Sequence, residues 1–522
     1  MSFHPCLKTL FLSSVAVMLL AACGDSARDL FSKGQALYQQ GKYYAAIAAF
    51  DKVEQRFGKD NTPGVREQVA RALLCKGHAL NQQGKDEAAI VAFDEVEQRF
   101  GKDDSPGVRE QVARALLGKG HALNRQGKDK AAIAVHDEIE QRFGKDNAPG
   151  VREQVARALL GKGHILAQRG KDEAAIAANV AKINAYATAY ATYDAAITIY
   201  DEIERRFGKD DSPGVREQVA RALLDRGHIL FQRGKYYVAI TAYDQVKHRF
   251  GKDDTPGVRE QVARALLSKG RILFSPDAAI TVYDEIERRF GKDNTPGVRE
   301  QVAGALLGKG YSLREQRKDE ASIAAFDEVE RRFGKDDSPG VRKQVVTALA
   351  LKSAAMDDDN ARIAVHDEIE RRLAKDGSPD ARGQLLAIRQ NSAALLLRLG
   401  RHAEAAQKIR QVMAEIDTAD PASAILSFLL WLAEPQMPVQ DVRNAIAILP
   451  PGVNISWHPN EIRPFISQFP GAFWRHPLRE LAFDWTLPLV ARLPEPRQIQ
   501  AQCLLTFFQK HQNVDRLDAC LL

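Results

Sequence analysis

One five-residue phrase returns along the first three quarters of this chain. Arg-Phe-Gly-Lys-Asp is present in seven copies, which begin at Arg56, Arg99, Arg142, Arg206, Arg249, Arg289 and Arg332. A worn copy, Arg-Leu-Ala-Lys-Asp, begins at Arg372. Successive copies are separated by 43, 43, 64, 43, 40, 43 and 40 residues. A fixed period of this size indicates a stacked-repeat architecture, in which each repeat contacts only its neighbours.

The apolar spacing within one repeat predicts two helices. In the repeat that begins at Ser105, this serine suits an N-cap and Pro106 suits the first helical turn. Apolar residues then recur at steps of three and four until Gly127, where we expect the first helix to end. The second helix places Glu138 and Arg142 as an i,i+4 pair. Such a hairpin cannot bury its apolar side alone, so it is expected to stack on its neighbours.

This repeat resembles the tetratricopeptide repeat (TPR). The family's helix-A glycine is matched seven residues before the hairpin glycine, at Gly34, Gly77, Gly120, Gly163 and Gly227. Its helix-B alanine and aromatic residue are matched by Ala89 and Phe93. Over residues 26–416, as nine hairpins, the resemblance implies an all-α, right-handed superhelical solenoid. The units depart from the family's 34-residue period, and the leucine before the helix-A glycine is a lysine here, so HEAT or armadillo repeats remain an alternative.

Two stretches interrupt or follow the regular repeats. An Ala-rich insertion near 177–196 lengthens the fourth unit, and we expect it to extend helix B or to add half a hairpin. From residue 417 the composition changes, because all four tryptophans and 12 of the 22 prolines lie in 417–522. Apolar runs at 424–432, 443–449, 478–493 and 499–508 predict a small C-terminal helical domain that also caps the repeats.

The N-terminus has the pattern of a secretory signal peptide. Lys8 precedes an apolar run, 10–22, which is too short to span a bilayer. The run ends in Leu-Ala-Ala-Cys at 20–23, which resembles the lipobox of bacterial lipoproteins. The resemblance implies that residues 1–22 are removed and that Cys23 is acylated. Gly24 after the cysteine is similar to the pattern that sorts lipoproteins to the outer membrane, facing the periplasm. The alternative is an ordinary secretion signal with a chance cysteine.

Few residues have the pattern of a site for chemistry. The net charge is +6 among 74 basic and 68 acidic residues that alternate in sign, which argues against nucleic acid as a partner. The Gly-Lys pairs lack phosphate-loop spacing, and the acidic joints lack the glycine and distal glutamate of a calcium loop. No cofactor or metal is expected. In the tail, the one cluster that merits an enzymatic hypothesis is His458, Glu461, His476 and Asp484, although it has no known catalytic spacing.

The C-terminal cysteines leave an alternative open. Cys503 and Cys520 are either a disulfide, which an exported compartment permits, or two packed thiols.

Comparison between copies points to one variable surface. Val-Arg-Glu-Gln-Val-Ala-Arg-Ala-Leu-Leu is nearly unchanged between residues 65 and 267, whereas a few later positions of helix A vary. By the family resemblance these positions face a concave groove that holds a partner. They are His78, Asn81, Gln82, His121, Asn124, Arg125, His164, Gln168, His228, Gln232, Arg271 and Tyr311. Drift on a solvated face would produce the same variation.

The sequence therefore predicts a non-catalytic scaffold in the bacterial cell envelope. It would be exported, held by a lipid anchor, and bind protein or peptide partners. Two alternatives remain: a structural or host-interaction surface protein, and an enzyme whose catalytic unit is 417–522.

Overall fold

The structure is a computed structural model that describes residues 25–180, 183–374, 376, 378–415, 421–434, 436–438, 440–442, 444 and 497–510. This part of the chain contains helices and no strands. The helices are α1 (Ala27–Gln39), α2 (Tyr43–Phe57), α3 (Pro63–Gln82), α4 (Asp86–Phe100), α5 (Pro106–Arg125), α6 (Asp129–Phe143), α7 (Pro149–Val180), α8 (Ile183–Phe207), α9 (Pro213–Gln232), α10 (Tyr236–Phe250), α11 (Pro256–Ile272), α12 (Pro276–Phe290), α13 (Pro296–Glu315), α14 (Asp319–Phe333), α15 (Pro339–Ala355), α16 (Asp359–Leu373), α17 (Pro379–Arg398), α18 (His402–Met413), α19 (Pro421–Ala433) and α20 (Arg497–Lys510).

The helices confirm an all-α, TPR-like fold of tandem hairpins. Helices α1 to α18 pair in order as hairpins 1 to 9, and the two members of a pair are helix A and helix B. The chain divides into two compact units, Met1–Val262 and Ala263–Leu522. Within each unit, consecutive hairpins pack against each other through helix A and helix B.

Proline and glycine set the ends of the helices as predicted. In hairpin 3, α5 begins at Pro106, and Gly127 follows its end with a φ of +70°. Glycine is the residue that adopts this left-handed conformation without steric cost. Gly41, Gly84, Gly234 and Gly400 do the same in their hairpins, with φ between +71° and +74°.

The helix A N-terminus corrects one prediction. Ser105 occupies the N-cap position of α5, but its side chain does not accept a backbone hydrogen bond there. Instead, Asp103 accepts from the Ser105 amide at 3.0 Å and from its hydroxyl at 2.6 Å. The amide of Ala148, which has no hydroxyl, donates to Asp146 at 2.8 Å in the same way. The aspartate of the repeated phrase therefore organises the joint, whichever residue follows.

The arginine of the repeated phrase ties each hairpin to the one before it. Arg142 donates to the carbonyl of Gly101 at 3.1 Å and to Glu97 at 2.8 Å, both in hairpin 2. The predicted pair with Glu138 is also present, at 2.8 Å. The same bond to the preceding glycine carbonyl is made by Arg99, Arg206, Arg249, Arg332 and Arg372. A partly exposed pair of this kind contributes about 0.5 kcal/mol, so these ties set the register between hairpins more than they set the stability.

A second arginine makes a tie in the opposite direction along the chain. Arg109, near the start of helix A in hairpin 3, donates to Asp146 at the end of the same hairpin, at 2.8 Å. Because Asp146 also holds the amide of Ala148, it connects this arginine to the first turn of hairpin 4. Equivalent pairs join Arg66 to Asp103, Arg152 to Asp210, Arg216 to Asp253, Arg299 to Asp336, and Arg342 to Asp376.

The core of each hairpin depends on a glycine beneath a ring. Phe93 of α4 lies so close to Gly77 of α3 that an added Cβ would be 2.4 Å from the ring. The same ring reaches Gly118 of the next hairpin, where a Cβ would be 2.7 Å away. Phe93 is 1% exposed, so the ring joins both helices of its hairpin and the following helix A in one buried contact. Rings at the equivalent position are Phe50, Tyr200, Tyr243, Tyr283 and Phe326.

Hairpin 3 places a histidine at this buried position. His136 is 1% exposed and lies against Gly120 and Gly161. Within the described residues, neither of its ring nitrogens has a hydrogen-bond partner. Burial lowers the pKa of His136 to about 4, and the charge of His121 acts in the same direction. At neutral pH the imidazole is therefore uncharged and packs as an aromatic ring.

Hairpin 8 also has a histidine there but gives it partners. His366 is 4% exposed, and its ring nitrogens lie 2.8 Å from the Ser353 hydroxyl and 3.1 Å from the Ser392 hydroxyl. Ser353 stands in the position of the helix-A glycine. The two buried histidines thus differ in hydrogen bonding, because only hairpin 8 has hydroxyls beside the ring.

Hairpin 4 corrects the interpretation of the insertion. Helix A, α7, has 32 residues and helix B, α8, has 25, compared with 20 and 15 in hairpin 3. Gly170 stands where the turn was expected, yet it is buried inside α7 beside the ring of Tyr193. The prediction that helix B alone would lengthen is wrong, because the Ala-rich segment favours helix on both sides of the new turn.

The later hairpins deviate from the regular turn. In hairpin 6, Ser275 caps α12 by accepting from the amide of Ala278 at 3.4 Å. In hairpin 7, Arg317 replaces the hairpin glycine and takes its conformation, with a φ of +58°. In hairpin 8, Asp358 caps α16 by accepting from the amide of Asn360 at 3.0 Å. The helical hairpin persists, but its turn is made by different residues.

The described part of the tail packs on hairpin 9. Trp431 of α19 is 1% exposed and shares an apolar cluster with Leu396 and Ile409 of hairpin 9 and with Leu504 of α20. Arg497 of α20 lies over the Trp431 ring at 4.1 Å. Two of the four predicted tail helices are thus present, while the runs at 443–449 and 478–493 lie outside the described ranges apart from residue 444. None of the described helices is long and apolar enough to cross a membrane.

The conformation of Arg317 generates a stability prediction. A side chain in the left-handed region costs of the order of 1 kcal/mol, so we expect Arg317→Gly to raise the free energy of unfolding by roughly 0.5–1 kcal/mol after the entropy of glycine is allowed for. As the matched change in a regular turn, Gly127→Ala should lower it by about 1 kcal/mol. Urea unfolding followed by circular dichroism measures both. Destabilisation by Arg317→Gly would contradict the strain argument.

The burial of His136 generates a pH prediction. An unfolded histidine has its pKa near 6.5, whereas the folded value is about 4, so acid protonates the unfolded chain first. Stability is therefore unaffected above pH 6.5 and falls as the pH drops towards 4, by about 2 kcal/mol at pH 5. His136→Phe, which copies the ring found in hairpin 2, should remove that loss from urea unfolding compared at pH 7.5 and pH 5. The exposed His248→Gln is the control and should leave the pH dependence unchanged.

Candidate functional site

The predicted groove positions share one side of successive helices A, here called the helix-A face. Six of them are exposed: Gln82, His121, Asn124, Arg125, Gln168 and Gln232. Six are half-buried: His78, Asn81, His164, His228, Arg271 and Tyr311. None of the twelve lies in the fully buried core, so each can present polar atoms at a surface. The face is described separately for each compact unit, and its histidines all lie in residues 1–262.

The four histidines rest on the buried rings of their own hairpins. His78 packs edge-on against Phe93, with ring centroids 5.3 Å apart, and His228 packs against Tyr243 at 5.6 Å. The corresponding pairs in hairpins 3 and 4 are His121 with His136 at 6.1 Å and His164 with Tyr200 at 6.2 Å. Each histidine is thus anchored from below by the core, while the side away from the ring belongs to the helix-A face.

Protein charge and burial keep two of these histidines neutral. Burial lowers the pKa of His78 to about 4, with further lowering by the charges of His121 and Arg114. The pKa of His121 is lowered by desolvation first, and then by Arg125, Arg157, His164 and Arg221. His121 is nevertheless exposed to solvent, a combination expected of a side chain that touches water but is surrounded by protein. At neutral pH neither ring adds charge to the face.

One site residue was missed by the sequence reasoning. Asp225 of α9 lies 2.6 Å from His164 Nε2 across the hairpin boundary and 3.7 Å from His228 Nδ1. Burial by itself raises the pKa of Asp225, but the hydrogen bonds and charges of the two histidines outweigh it and hold the pKa below its usual range. Its column otherwise contains Cys75, Gly118, Gly161, Ser268 and Gly308, so the one acid in it was a signal available in the sequence.

Two predicted groove residues make contacts that are partly structural. Arg125 pairs with Asp86 at the start of helix B in hairpin 2. Gln168 donates to Asp172, one turn later in α7, at 2.8 Å. Asn124 and Gln232, which are exposed, take no part in the printed ties between hairpins. The helix-A face therefore mixes residues that join hairpins with residues whose polar groups are available to a partner.

The described residues do not form a site for metal. No three His, Cys, Asp or Glu side chains among them converge as metal ligands. The histidines of successive hairpins instead share Asp225 or pack on rings, which is an arrangement for orientation of side chains at a surface.

Several predicted residues cannot be placed. Cys23 lies outside the described ranges, as do His458, Glu461, His476 and Asp484. Cys503 is disulfide-bonded, while Cys520, the partner considered for it, lies outside those ranges. Cys75 is a free thiol whose pKa burial raises to about 11, so it is not activated for chemistry.

Comparisons with known proteins agree with this local architecture. A family model described as "Tetratricopeptide repeat" matches residues 31–105, which span helix A of hairpin 1 to the end of hairpin 2. No curated protein sequence matched the chain.

Three solved structures are similar in fold. The P58(IPK) TPR domain is 13% identical with a TM-score of 0.20, and the match covers 81% of this chain and 98% of that one. The quorum sensor NprR from B. thuringiensis is 13% identical with a TM-score of 0.27, covering 74% and 97%. The human IFIT1 dimer with m7Gppp-AAAA is 10% identical with a TM-score of 0.30, covering 92% and 91%. At these values none of the three supports an inference about function. The family match therefore identifies residues 31–105 as tetratricopeptide repeat.

Proposed function

We propose that this chain is a non-catalytic scaffold that binds protein or peptide partners on the helix-A face. The observation that carries the proposal is the division of labour within each repeat. Residues that are the same from copy to copy, such as Arg142 and Phe93, make the contacts within and between hairpins. Residues that vary, such as Asn124 and Gln232, lie exposed on helix A. Variation on an otherwise invariant frame is what partner recognition requires.

The geometry of the face suits recognition by side-chain contacts. Histidines anchored on buried rings lose little conformational freedom when a partner binds, because their orientation is already held. Asp225 further orients His164 through a 2.6 Å contact. A pre-organised polar surface of this kind favours binding of an extended or helical segment.

We further propose that the scaffold is exported and held by a lipid on Cys23, at the outer membrane facing the periplasm. The support is the sequence pattern at 20–23 and the apolar run before it. The first described helix begins at Ala27, so few residues would separate the anchor from hairpin 1. The hairpins would then stand close to the membrane surface.

The binding proposal predicts position-specific crosslinking. A photocrosslinking amino acid at Asn124 or Gln232 should capture partner protein from intact cells, whereas the same amino acid at Arg205 on helix B of hairpin 4, whose side chain is 71% exposed, should capture little. Gln232→Glu should reduce capture from the neighbouring Asn124 position without changing the helical content. Equal capture from Arg205 would reject the helix-A face as the binding surface.

The anchoring proposal predicts a change of location. Cys23→Ser should release the protein from membranes, because the acyl chains that hold it would not be added. Cell fractionation and electrophoretic mobility measure the change, and Cys75→Ser serves as the control that should stay bound. A Cys23→Ser protein that remains in the membrane with unchanged mobility would show that the lipoprotein interpretation is wrong.

A further inference from the structure

Three arginines form a row on helices A of hairpins 3, 4 and 5. Arg114, Arg157 and Arg221 each stand two helical turns before the histidine of their hairpin, so they lie on the same face as the histidine column. Their side chains are 42%, 44% and 43% exposed. Because helices α5, α7 and α9 pack against one another in order, the three guanidinium groups follow one line within the N-terminal unit.

The carboxylates beside this row are held lower, at the next helix. Glu110 and Glu153 contact Arg114 and Arg157 at 2.5 and 2.7 Å, but they are only 25% and 23% exposed. Each carboxylate lies over the glycine at the second position of the next helix A. An added Cβ at Gly150 would be 2.1 Å from the Glu110 carboxylate.

Helix N-termini offset these negative charges. Gly150, which follows Pro149 in the first turn of α7, is the residue that lets the Glu110 carboxylate approach. The first turn of a helix has unpaired amides and a partial positive charge, so it favours a carboxylate there. The glutamates are thus used by the neighbouring helices, while the arginine tips extend past them into solvent.

The remaining acid on this part of the face is also occupied. Asp225 lies 3.9 Å from Arg221, but its closest contact is His164 at 2.6 Å, and its side chain is 20% exposed. His121 is kept neutral, and three of the arginines that lower its pKa are Arg125, Arg157 and Arg221. The exposed charge of the row at neutral pH is therefore positive.

We propose that the Arg114–Arg157–Arg221 row binds an acidic segment of a partner protein, extended as a polyproline II helix with a carboxylate at every third residue. Packed helices lie about 8–10 Å apart, so neighbouring guanidinium groups are separated by a similar distance. A polyproline II helix has three residues per turn and rises about 3.1 Å per residue, which brings side chains to the same face every ~9 Å. Arginine binds carboxylate through two parallel hydrogen bonds, so this match in spacing gives one acid to each arginine. This inference rests on the proposed binding function and adds the chemical class of the partner.

Two synthetic peptides test the spacing. A labelled 12-residue peptide has glutamate at every third position with proline and alanine between, and its permuted control has the same residues with the glutamates consecutive. Fluorescence anisotropy with the full chain should show about tenfold tighter binding of the spaced peptide, if each of two further exposed pairs contributes a factor of about 3. Equal affinity for the two peptides, or no binding of either, would overturn the proposal.

Substitutions test the row itself. Arg157→Gln should weaken binding of the spaced peptide about threefold, and replacement of all three arginines by glutamine about 25-fold, if the pairs act independently. Arg205→Gln removes an exposed arginine from helix B of the same hairpin and should change nothing. An equal loss in this control variant would assign the effect to overall charge and reject the row. Circular dichroism of each variant confirms that the helices are intact.

Two outcomes separate this inference from the function on which it rests. A single-stranded oligonucleotide of equal charge that binds more tightly than the spaced peptide would assign the row to nucleic acid, against the proposal. If partners crosslink at Asn124 equally well in the wild type and in the triple variant, the binding function stands and the acidic-segment inference is wrong. If no position on the helix-A face captures a partner, the binding function itself fails.

Discussion

The contact between a helix-A glycine and a buried ring is the constraint on which the hairpins depend. A Cβ at Gly77 would be 2.4 Å from the ring of Phe93, so no other residue fits without displacing the ring. Because the same ring also reaches Gly118 of the next hairpin, one contact sets both the packing within a hairpin and the approach of its neighbour. Each hairpin leaves part of its apolar surface for the next, which explains why the architecture is built by repetition. Hairpin 3 shows the tolerance of the position, since the uncharged ring of His136 occupies it at neutral pH.

The repeated phrase is structural at nearly every residue. In its second copy, Arg99 donates to the preceding Gly58 carbonyl at 2.8 Å, and Phe100 is 4% exposed beneath it. Gly101 ends the helix and leaves room for the next arginine, Arg142, to reach its carbonyl. Asp103 then holds the amide of the following N-cap residue. Since these residues are used by the frame, recognition of a partner is left to the residues that differ between copies or extend beyond the frame. The first group includes Asn124 and Gln232, and the second includes the arginine row.

Local chemistry explains which elements were predictable. Pro106 and Gly127 mark the ends of α5 because one lacks an amide hydrogen and the other adopts positive φ, and both effects act within a few residues. The errors arose where a local preference competed with another nearby group or with a longer helix. Ser105 is a suitable cap, but Asp103 takes its amide and hydroxyl first. Gly170 is a suitable turn residue, but the alanine-rich segment continues the helix past it. The candidate face was predictable as a set of columns, whereas the link between His164 and Asp225, 61 residues apart, was not.

The sequence by itself determined the all-α class, the number and order of the hairpins, and the residues that vary on helix A. It could do so because period, helix capping and amphipathic spacing are properties of neighbouring residues. Only the tertiary structure decided how the side chains of that face are used. It showed that Arg125 pairs with the preceding hairpin, that Asp225 joins two histidines, and that Glu110 turns towards the next helix while Arg114 stays exposed. These outcomes depend on distances between groups on different hairpins, and those distances exist only once the hairpins have stacked.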